Sequence, residues 1–197
     1  MTDAEKIEAA IRQAANKPTG ELTKVDLEKV TKLFLSGNQL TEVPKGLEKL
    51  TKLEALNLAN NQLTDASALA NLTQLTDLNL YGNQLTGVKG LEKLTKLEAL
   101  ALANNQLTDV KGLEKLTKLE ALVLINNQLT DVKGLEKLTQ LKTLHLSYNK
   151  LTGVKGLEKL THLEYLGLES NPDLTKAQIA ELKKALPNCS ISSNPTK

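Results

Sequence analysis

The chain has few of the residues on which most globular cores and many catalytic sites depend. Its 197 residues include one cysteine, Cys189, so we expect no internal disulfide and no cysteine metal cluster. Tryptophan is absent, and the aromatic residues are one phenylalanine and three tyrosines. A core with so few aromatic side chains has to be built from aliphatic ones.

Charge and hydropathy exclude further classes of protein. The net charge is +2 and charges of both signs are mixed along the chain, so we expect no nucleic-acid partner. No run approaches the roughly 18 apolar residues that a membrane span needs, so we expect no membrane insertion. The start, MTDAEKIEAA, is charged and has no apolar stretch, which predicts that no signal peptide is present.

Leucine is abundant and recurs with a fixed period. Residues 90–111 and 112–133 are identical except at Ala101/Val123 and Ala103/Ile125. The pattern L-x-x-L-x-L-x-x-N-x-L runs down the chain in seven copies, with a step of 22 residues from Asn61 onward. Repeats of this length predict a solenoid, in which each unit buries its leucines against its neighbours.

Each unit is expected to contribute one short strand. In the central L-x-L the leucines point to one side of the strand and the middle residue to the other. We therefore predict an α/β repeat solenoid, a curved horseshoe with a concave parallel sheet of about seven strands. The asparagine after each strand is expected to bond the backbone of its own turn and of the neighbouring unit. The Glu-Lys pairs of the G-L-E-K-L-T segments are expected to form a solvated outer face.

The two ends differ from the repeats, and we expect them to cap the stack. The predicted boundaries are an N-terminal helical cap over 1–21, repeats over 22–171 and a C-terminal cap over 172–197. A first helix over 4–15 is expected to end through Pro18 and Gly20. Its predicted apolar stripe consists of Ile7, Ala10, Ile11 and Ala14. Capping boxes predict helix starts at Thr2, Thr23 and Thr175. Cys189 and Ile191 are expected to add a last extended segment.

The 22-residue unit, with turns such as NQLTDASALANLTQLTDLNL over 61–80, resembles the internalin type of bacterial leucine-rich repeat protein. The resemblance covers residues 22–171. It implies a non-catalytic binding module that meets protein partners on its concave sheet, without a cofactor. The near-identity of the repeats fits recent gene duplication, and it also fits consensus design. The alternative is therefore an engineered scaffold with no natural ligand, and both origins stay open.

The positions that face away from the leucines form four columns beside and between the strand leucines. All four aromatic residues lie in these columns, as do both differences between the near-identical blocks. Exposed aromatic and branched apolar residues on a fixed sheet are typical of recognition surfaces. We therefore predict a monomer that binds a protein or peptide ligand on the concave face. The predicted contact residues are Phe34, Asn57, Asp77, Asn79, Tyr81, Val123, Ile125, His145, Tyr148 and Tyr165.

Within this set we expect an anchor patch beside a plain floor. The anchor patch consists of Tyr81, Val123, Ile125, His145 and Tyr148. The floor consists of Ala99, Ala101, Ala103 and Ala121.

Catalytic and metal chemistry are not expected. Ser147 and His145 lie two apart on one strand, but a hydrolase also needs an orienting carboxylate in a closed pocket. His145 and His162 lie in different columns, so they do not converge on a metal ion. The sequence therefore predicts no enzyme activity, no metal and no cofactor.

Overall fold

A computed structural model describes residues 2–195 and Lys197. Met1 and Thr196, which belong to the two predicted caps, lie outside these residues. Within the described part, two helices precede a run of seven strands, and a third helix and an eighth strand follow it. The helices are α1 (Asp3–Ala14), α2 (Lys24–Glu28) and α3 (Lys176–Ala185). The strands are β1 (Lys32–Phe34), β2 (Ala55–Asn57), β3 (Asp77–Asn79), β4 (Ala99–Ala101), β5 (Ala121–Val123), β6 (Thr143–His145), β7 (Tyr165–Gly167) and β8 (Ser190–Ser192).

The strands form one parallel sheet in chain order, β1 to β8, which is open and curved. The register places the middle leucine of each repeat strand beside the same leucine of the next, as in Leu100 beside Leu122. β8 extends the ladder and places Ile191 beside Leu166. The predicted solenoid with its repeat strands is confirmed, and the predicted extended segment around Ile191 is an eighth strand of the sheet.

A single leucine-rich core runs through the stack. Leu122 in β5 and Leu124 directly after it have no exposed surface, and the same positions in the other repeats are at most a few per cent exposed. Each chain return passes through a short 3₁₀ helix whose first leucine is also buried. Because every unit places its leucines at equivalent positions, the core is continuous over the length of the solenoid.

A row of buried asparagines joins neighbouring repeats through their backbones. The Nδ2 of Asn105 donates to the carbonyl of Leu102 in its own repeat and to Leu80 in the preceding one, each at 3.0 Å. Its Oδ1 accepts from the Leu85 amide at 3.0 Å. Equivalent bonds recur from Asn61 to Asn171. The predicted structural role of the asparagines is confirmed.

The Glu-Lys pairs of the outer side are not a simple solvated face, so that prediction is wrong in part. The 3₁₀ helix of each G-L-E-K segment begins after a glycine with a positive φ, such as Gly112 at 107°. The glycine amide donates to the glutamate two residues later, and the Gly112 N to Glu114 Oε2 distance is 2.6 Å. Glu114 is half-buried as a result, whereas Lys115 is exposed. The glutamate therefore closes the turn, and in three of the five turns, those of Glu92, Glu114 and Glu136, it is half-buried while the following lysine is exposed.

The N-terminal helix packs as predicted but with a shifted stripe. Its buried residues are Ile7 and Ile11, and Ala15 continues the stripe at 6% exposure, whereas Ala14 is exposed. Residues four apart lie on nearly the same helix face, which favours Ala15 over Ala14. The helix also ends before Pro18, because Asn16 adopts a left-handed conformation with φ 52°. The three predicted capping boxes, at Thr2, Thr23 and Thr175, are confirmed. The residue boundaries of the caps stay a prediction.

Asp26 anchors the second helix, and we expect it to set part of the acid stability. The Thr23 hydroxyl donates to its carboxylate at 2.7 Å and Lys17 Nζ at 3.0 Å, and these bonds hold the Asp26 pKa well below its ordinary value. A carboxyl with a lowered pKa stabilises the fold above its unfolded pKa of about 3.9, and this contribution is lost as the pH falls below about 4.

Asp26→Asn should therefore lower stability at neutral pH and flatten its decline in acid. Urea unfolding measured from neutral to acid pH checks this. Glu21→Gln, which removes an exposed carboxylate, is the control. Its stability should fall with decreasing pH as that of the wild type does. Parallel pH profiles for Asp26→Asn and the wild type would contradict the expectation.

Candidate functional site: the concave face

Strand alternation exposes one side of the sheet. The residue between the strand leucines belongs to a column that runs unbroken across the repeats, with each member paired in register with the next. Phe34 is 67% exposed, while the polar and branched members of the column are half-buried. The members, in order, are Phe34, Asn57, Asn79, Ala101, Val123, His145 and Gly167. The structure therefore brings five of the ten predicted contact residues into one line.

Phe34 lies apart from the anchor patch. It lines a groove of about 420 Å³ between α1 and β1, together with Ala10, Gln13 and Ala14. His145 lies five strands further along the sheet, roughly 24 Å away at the ordinary strand spacing. One compact ligand segment on the anchor patch would not reach Phe34.

The alanine floor is a shallow depression in the middle of the sheet. It has a volume of about 190 Å³ and is lined by Asp77, Asn79 and Val123 around the alanines of β4 and β5. Ala99, Ala101 and Ala121 are half-buried, but Ala103 is only 4% exposed. Other small residues of the same column are also buried, with Ala59 at 5% and Ser147 at 7% exposure. Ala103 is therefore not an open contact position, contrary to the outward placement expected for it.

Tyr81 is tied to its neighbours on the sheet. Its ring is 39% exposed, and its Oη accepts a hydrogen bond from Asn104 Nδ2 at 2.7 Å. Asn126 Nδ2 in turn donates to Asn104 Oδ1 at 2.9 Å. The chain of bonds spans three repeats and fixes the tyrosine over the next repeat. Asn104 and Asn126 were not among the predicted contact residues, and side-chain bonds of this kind leave no spacing signal in the sequence.

The outermost of the four columns is set by the backbone. Every member has a left-handed conformation, with φ from 53° at Asn126 to 68° at Gly37. Glycine and asparagine tolerate this conformation best, which accounts for their recurrence in the column. Two members depart from this rule, Tyr148 with φ 58° and Ser170 with φ 55°. The backbone conformation therefore limits which residues this column can carry. The members are Gly37, Asn60, Gly82, Asn104, Asn126, Tyr148 and Ser170.

Tyr148 occupies this conformation at a cost in stability. A left-handed residue that is neither glycine nor asparagine costs roughly 1–2 kcal/mol, and the Tyr148 side chain is 60% exposed and so recovers little by packing. Tyr148→Asn is therefore expected to raise the free energy of unfolding by about 1 kcal/mol. The reciprocal Asn126→Tyr should lower it by at least as much, because it also removes the bond to Asn104. Denaturant unfolding of both variants checks this, and an unchanged or less stable Tyr148→Asn would contradict it.

A polar cluster lies at the C-terminal end of the face. The hydroxyls of Ser147 and Ser192 both donate to the Glu169 carboxylate, and these bonds hold the Glu169 pKa below its usual value. Gly167 lies beneath this pair of bonds, since a Cβ there would stand 3.1 Å from Ser147 Oγ. Beside them the rings of His145 and Tyr165 meet with centroids 4.9 Å apart at 43°. Ser147 and Glu169 were not predicted as site residues, although each lies one column from His145.

This cluster does not contain a serine–histidine pair. The Ser147 hydroxyl donates to the Glu169 carboxylate and not to the His145 imidazole. Residues 2–195 and Lys197 contain no cluster of three or more histidine, cysteine, aspartate or glutamate side chains able to hold a metal ion. None of the helices in this part of the chain is both long and apolar enough to cross a membrane.

Comparison with known families agrees with the geometry. The family described as "Leucine rich repeat" matches residues 28–85, and "Leucine Rich repeats (2 copies)" matches residues 73–115, 98–137 and 139–184. The chain belongs to the leucine-rich repeat family. Proteins with this fold are commonly protein-interaction modules and are generally non-enzymatic. A comparison with curated proteins found no match.

Solved leucine-rich repeat structures show the same architecture. Internalin C2 from Listeria monocytogenes matches with a TM-score of 0.88 at 29% identity, over 97% of this chain and 85% of that one. Internalin F from the same species matches with a TM-score of 0.86 at 33% identity, over 98% of this chain and 56% of that one. A leucine-rich repeat protein from Leptospira interrogans matches with a TM-score of 0.72 at 30% identity, over 86% of this chain and 51% of that one. The chain thus spans about half the length of the last two proteins. The predicted resemblance to internalins is confirmed.

Proposed function

We propose that this leucine-rich repeat protein is a non-catalytic module that binds a protein or peptide on its concave face. The observation that carries the proposal is the placement of the aromatic residues. All four lie on this one face, and Phe34, Tyr81 and Tyr148 are exposed there. Tyrosine offers a large apolar area with a polar tip, which suits it to interfaces.

The proposed contacts form a central group and a flanking group. Val123 and Ile125 belong to one strand and its following turn, and His145 pairs in register with Val123 on the next strand. Tyr81 stands two repeats before Ile125 in the same column. Tyr148 lies one repeat after Ile125, in the outermost column. Asn57, Asp77, Asn79 and Tyr165 flank this group, and Phe34 is a separate contact at the N-terminal groove.

Capture from a bacterial lysate with matched variants tests the proposal. Tyr81→Ala/Ile125→Ala removes two central contacts, and Lys93→Ala/Lys115→Ala removes two exposed lysines of the outer side. A bound protein that is retained by the wild type and the outer variant but lost by the concave variant supports the proposal. The proposal would be contradicted if the captured protein is lost only with the outer variant, or if the concave variant still retains it.

A scaffold without a natural ligand is the second candidate, and one observation favours it. The segment GLEKLTKLEAL occurs verbatim at 46–56, 90–100 and 112–122, and the floor of the face is mostly alanine. A surface shaped for tight binding would carry more large side chains. If the wild type captures nothing that the concave variant loses, this second function is the one supported.

A further inference from the structure

A row of charged residues borders the concave face, directly before the strands. Its members continue the sheet ladder, because each backbone carbonyl accepts from the next repeat. The Glu98 carbonyl, for example, accepts from the amides of Glu120 at 2.8 Å and Ala121 at 3.1 Å. We call this row the edge row. It consists of Thr31, Glu54, Thr76, Glu98, Glu120, Lys142 and Glu164.

The concave face and its edge row carry an acidic surplus that the whole chain lacks. Six carboxylates stand here against two lysines, Lys32 and Lys142, which leaves a surplus of four negative charges. The whole chain has a net charge of +2, so the remaining surface carries a surplus of six positive charges. The concave face and its edge row are therefore more acidic than the rest of the chain taken together. The six carboxylates are Glu54, Asp77, Glu98, Glu120, Glu164 and Glu169.

Most of these carboxylates are left without a cation. Lys142 Nζ pairs with Glu120 at 2.6 Å, and Glu169 is held by two serine hydroxyls. Within the described residues, no ion pair involves Glu54, Asp77, Glu98 or Glu164, and all four are exposed. Glu98 and Glu120 stand directly before adjacent strands, roughly 5 Å apart, where like charges repel each other. These four exposed carboxylates therefore make no close ion pair within the described residues, and they are open to an outside cation.

The apolar contacts lie within reach of the same partner. Val123 is three residues along its chain from Glu120, about 10 Å at the rise of an extended strand. Ile125 and Tyr81 are two strand spacings apart, again about 10 Å. Glu54 and Glu164 precede strands that are five spacings apart, roughly 24 Å, so an extended segment of about eight residues laid across the strands covers the apolar side chains and the carboxylates together.

We propose that the concave face takes a basic segment of a partner protein, whose lysines or arginines meet Glu54, Asp77, Glu98 and Glu164 while its apolar side chains cover Val123, Ile125 and Tyr81. This inference rests on the proposed binding function and adds the chemistry of the partner. Complementary charge speeds association and repels acidic competitors, and it does so more strongly at low salt.

Three short synthetic peptides test the inference. They share one leucine pattern and differ only in the polar residue, which is lysine, glutamine or glutamate. Binding to the full chain is measured by fluorescence anisotropy at about 0.05 M and about 0.3 M salt. The acidic-row variant is Glu54→Gln/Glu98→Gln/Glu164→Gln. The control, Glu21→Gln/Glu42→Gln/Glu181→Gln, makes the same change in net charge at exposed positions outside the face.

The lysine peptide should bind about tenfold more tightly than the glutamine peptide at low salt, and the glutamate peptide should bind least. The acidic-row variant should lose this roughly tenfold preference for the lysine peptide, and the control variant should keep the preference.

Equal loss in the control variant would overturn the inference, because the attraction would then be non-specific. Equal binding of the lysine and glutamine peptides, lost in Tyr81→Ala/Ile125→Ala, would overturn the basic partner and leave the concave binding function standing. If none of the peptides binds, or if Tyr81→Ala/Ile125→Ala leaves their binding unchanged, the inference also fails. The lysate capture then decides the binding function by itself.

Discussion

Replacing Asn127 with alanine should lower the free energy of unfolding by about 3 kcal/mol. Asn127 is 7% exposed, its Oδ1 accepts from the Leu107 amide at 3.0 Å, and its Nδ2 donates to the carbonyls of Leu102 and Leu124. Those two carbonyls keep a second donor from the neighbouring asparagines. The Leu107 amide would lose its acceptor, Asn127 Oδ1. A buried amide without a partner costs about 1–3 kcal/mol in addition to the lost bonds.

The chain supplies a matched control for this substitution. Asn38 is the first asparagine of the row, is half-buried, and makes one side-chain bond, to the Ser36 carbonyl at 3.2 Å. Asn38→Ala should cost less than about 1 kcal/mol. Urea unfolding of both variants gives the comparison. Equal losses would show that the asparagine row does not join the repeats.

Gly90→Ala should destabilise the protein by about 3 kcal/mol. Gly90 has φ 90°, and a Cβ there would stand 2.6 Å from the Cα of Ser67 in the preceding repeat. That contact is with backbone, so no side-chain rotation relieves it. The left-handed strain of about 1–2 kcal/mol and the overlap therefore add.

Gly112 separates the two contributions. It has φ 107°, but a Cβ there meets Glu92 Cβ at an ordinary 3.5 Å. Gly112→Ala should therefore show the conformational cost alone, about 1–2 kcal/mol. Thermal or urea unfolding of the pair checks the difference. If Gly112→Ala is as damaging as Gly90→Ala, the close approach of Ser67 is not the cause.

The fold could be predicted from the sequence because every level of the repeat points to the same structure. The 22-residue step forces equivalent residues into register, so Leu100 beside Leu122 needed no further information. The glutamate of each G-L-E-K turn was misinterpreted, because a polar residue on an outer surface suggests solvent. Its bond to the glycine amide depends on a positive φ, which the recurring glycine signals only when turn geometry is considered.

The candidate site was predicted less completely, because its details depend on neighbouring side chains. Alternation placed Val123 and His145 on the open side, and the structure pairs them. It could not show that Ala103, in a column that also faces outward by alternation, is only 4% exposed. The outer column could have been recognised from its run of glycine and asparagine, which is typical of left-handed backbone. Against that run Tyr148 and Ser170 are the exceptions.

The position of the aromatic residues also allows a direct measurement of the binding face. Hydroxyl-radical footprinting labels aromatic side chains, and all four of these lie on the concave face. In complex with the protein captured from lysate, Tyr81 and Tyr148 should lose labelling, while Val25, which is 63% exposed on α2, should keep its rate. Unchanged labelling of both tyrosines in a saturated complex would contradict recognition through the concave face.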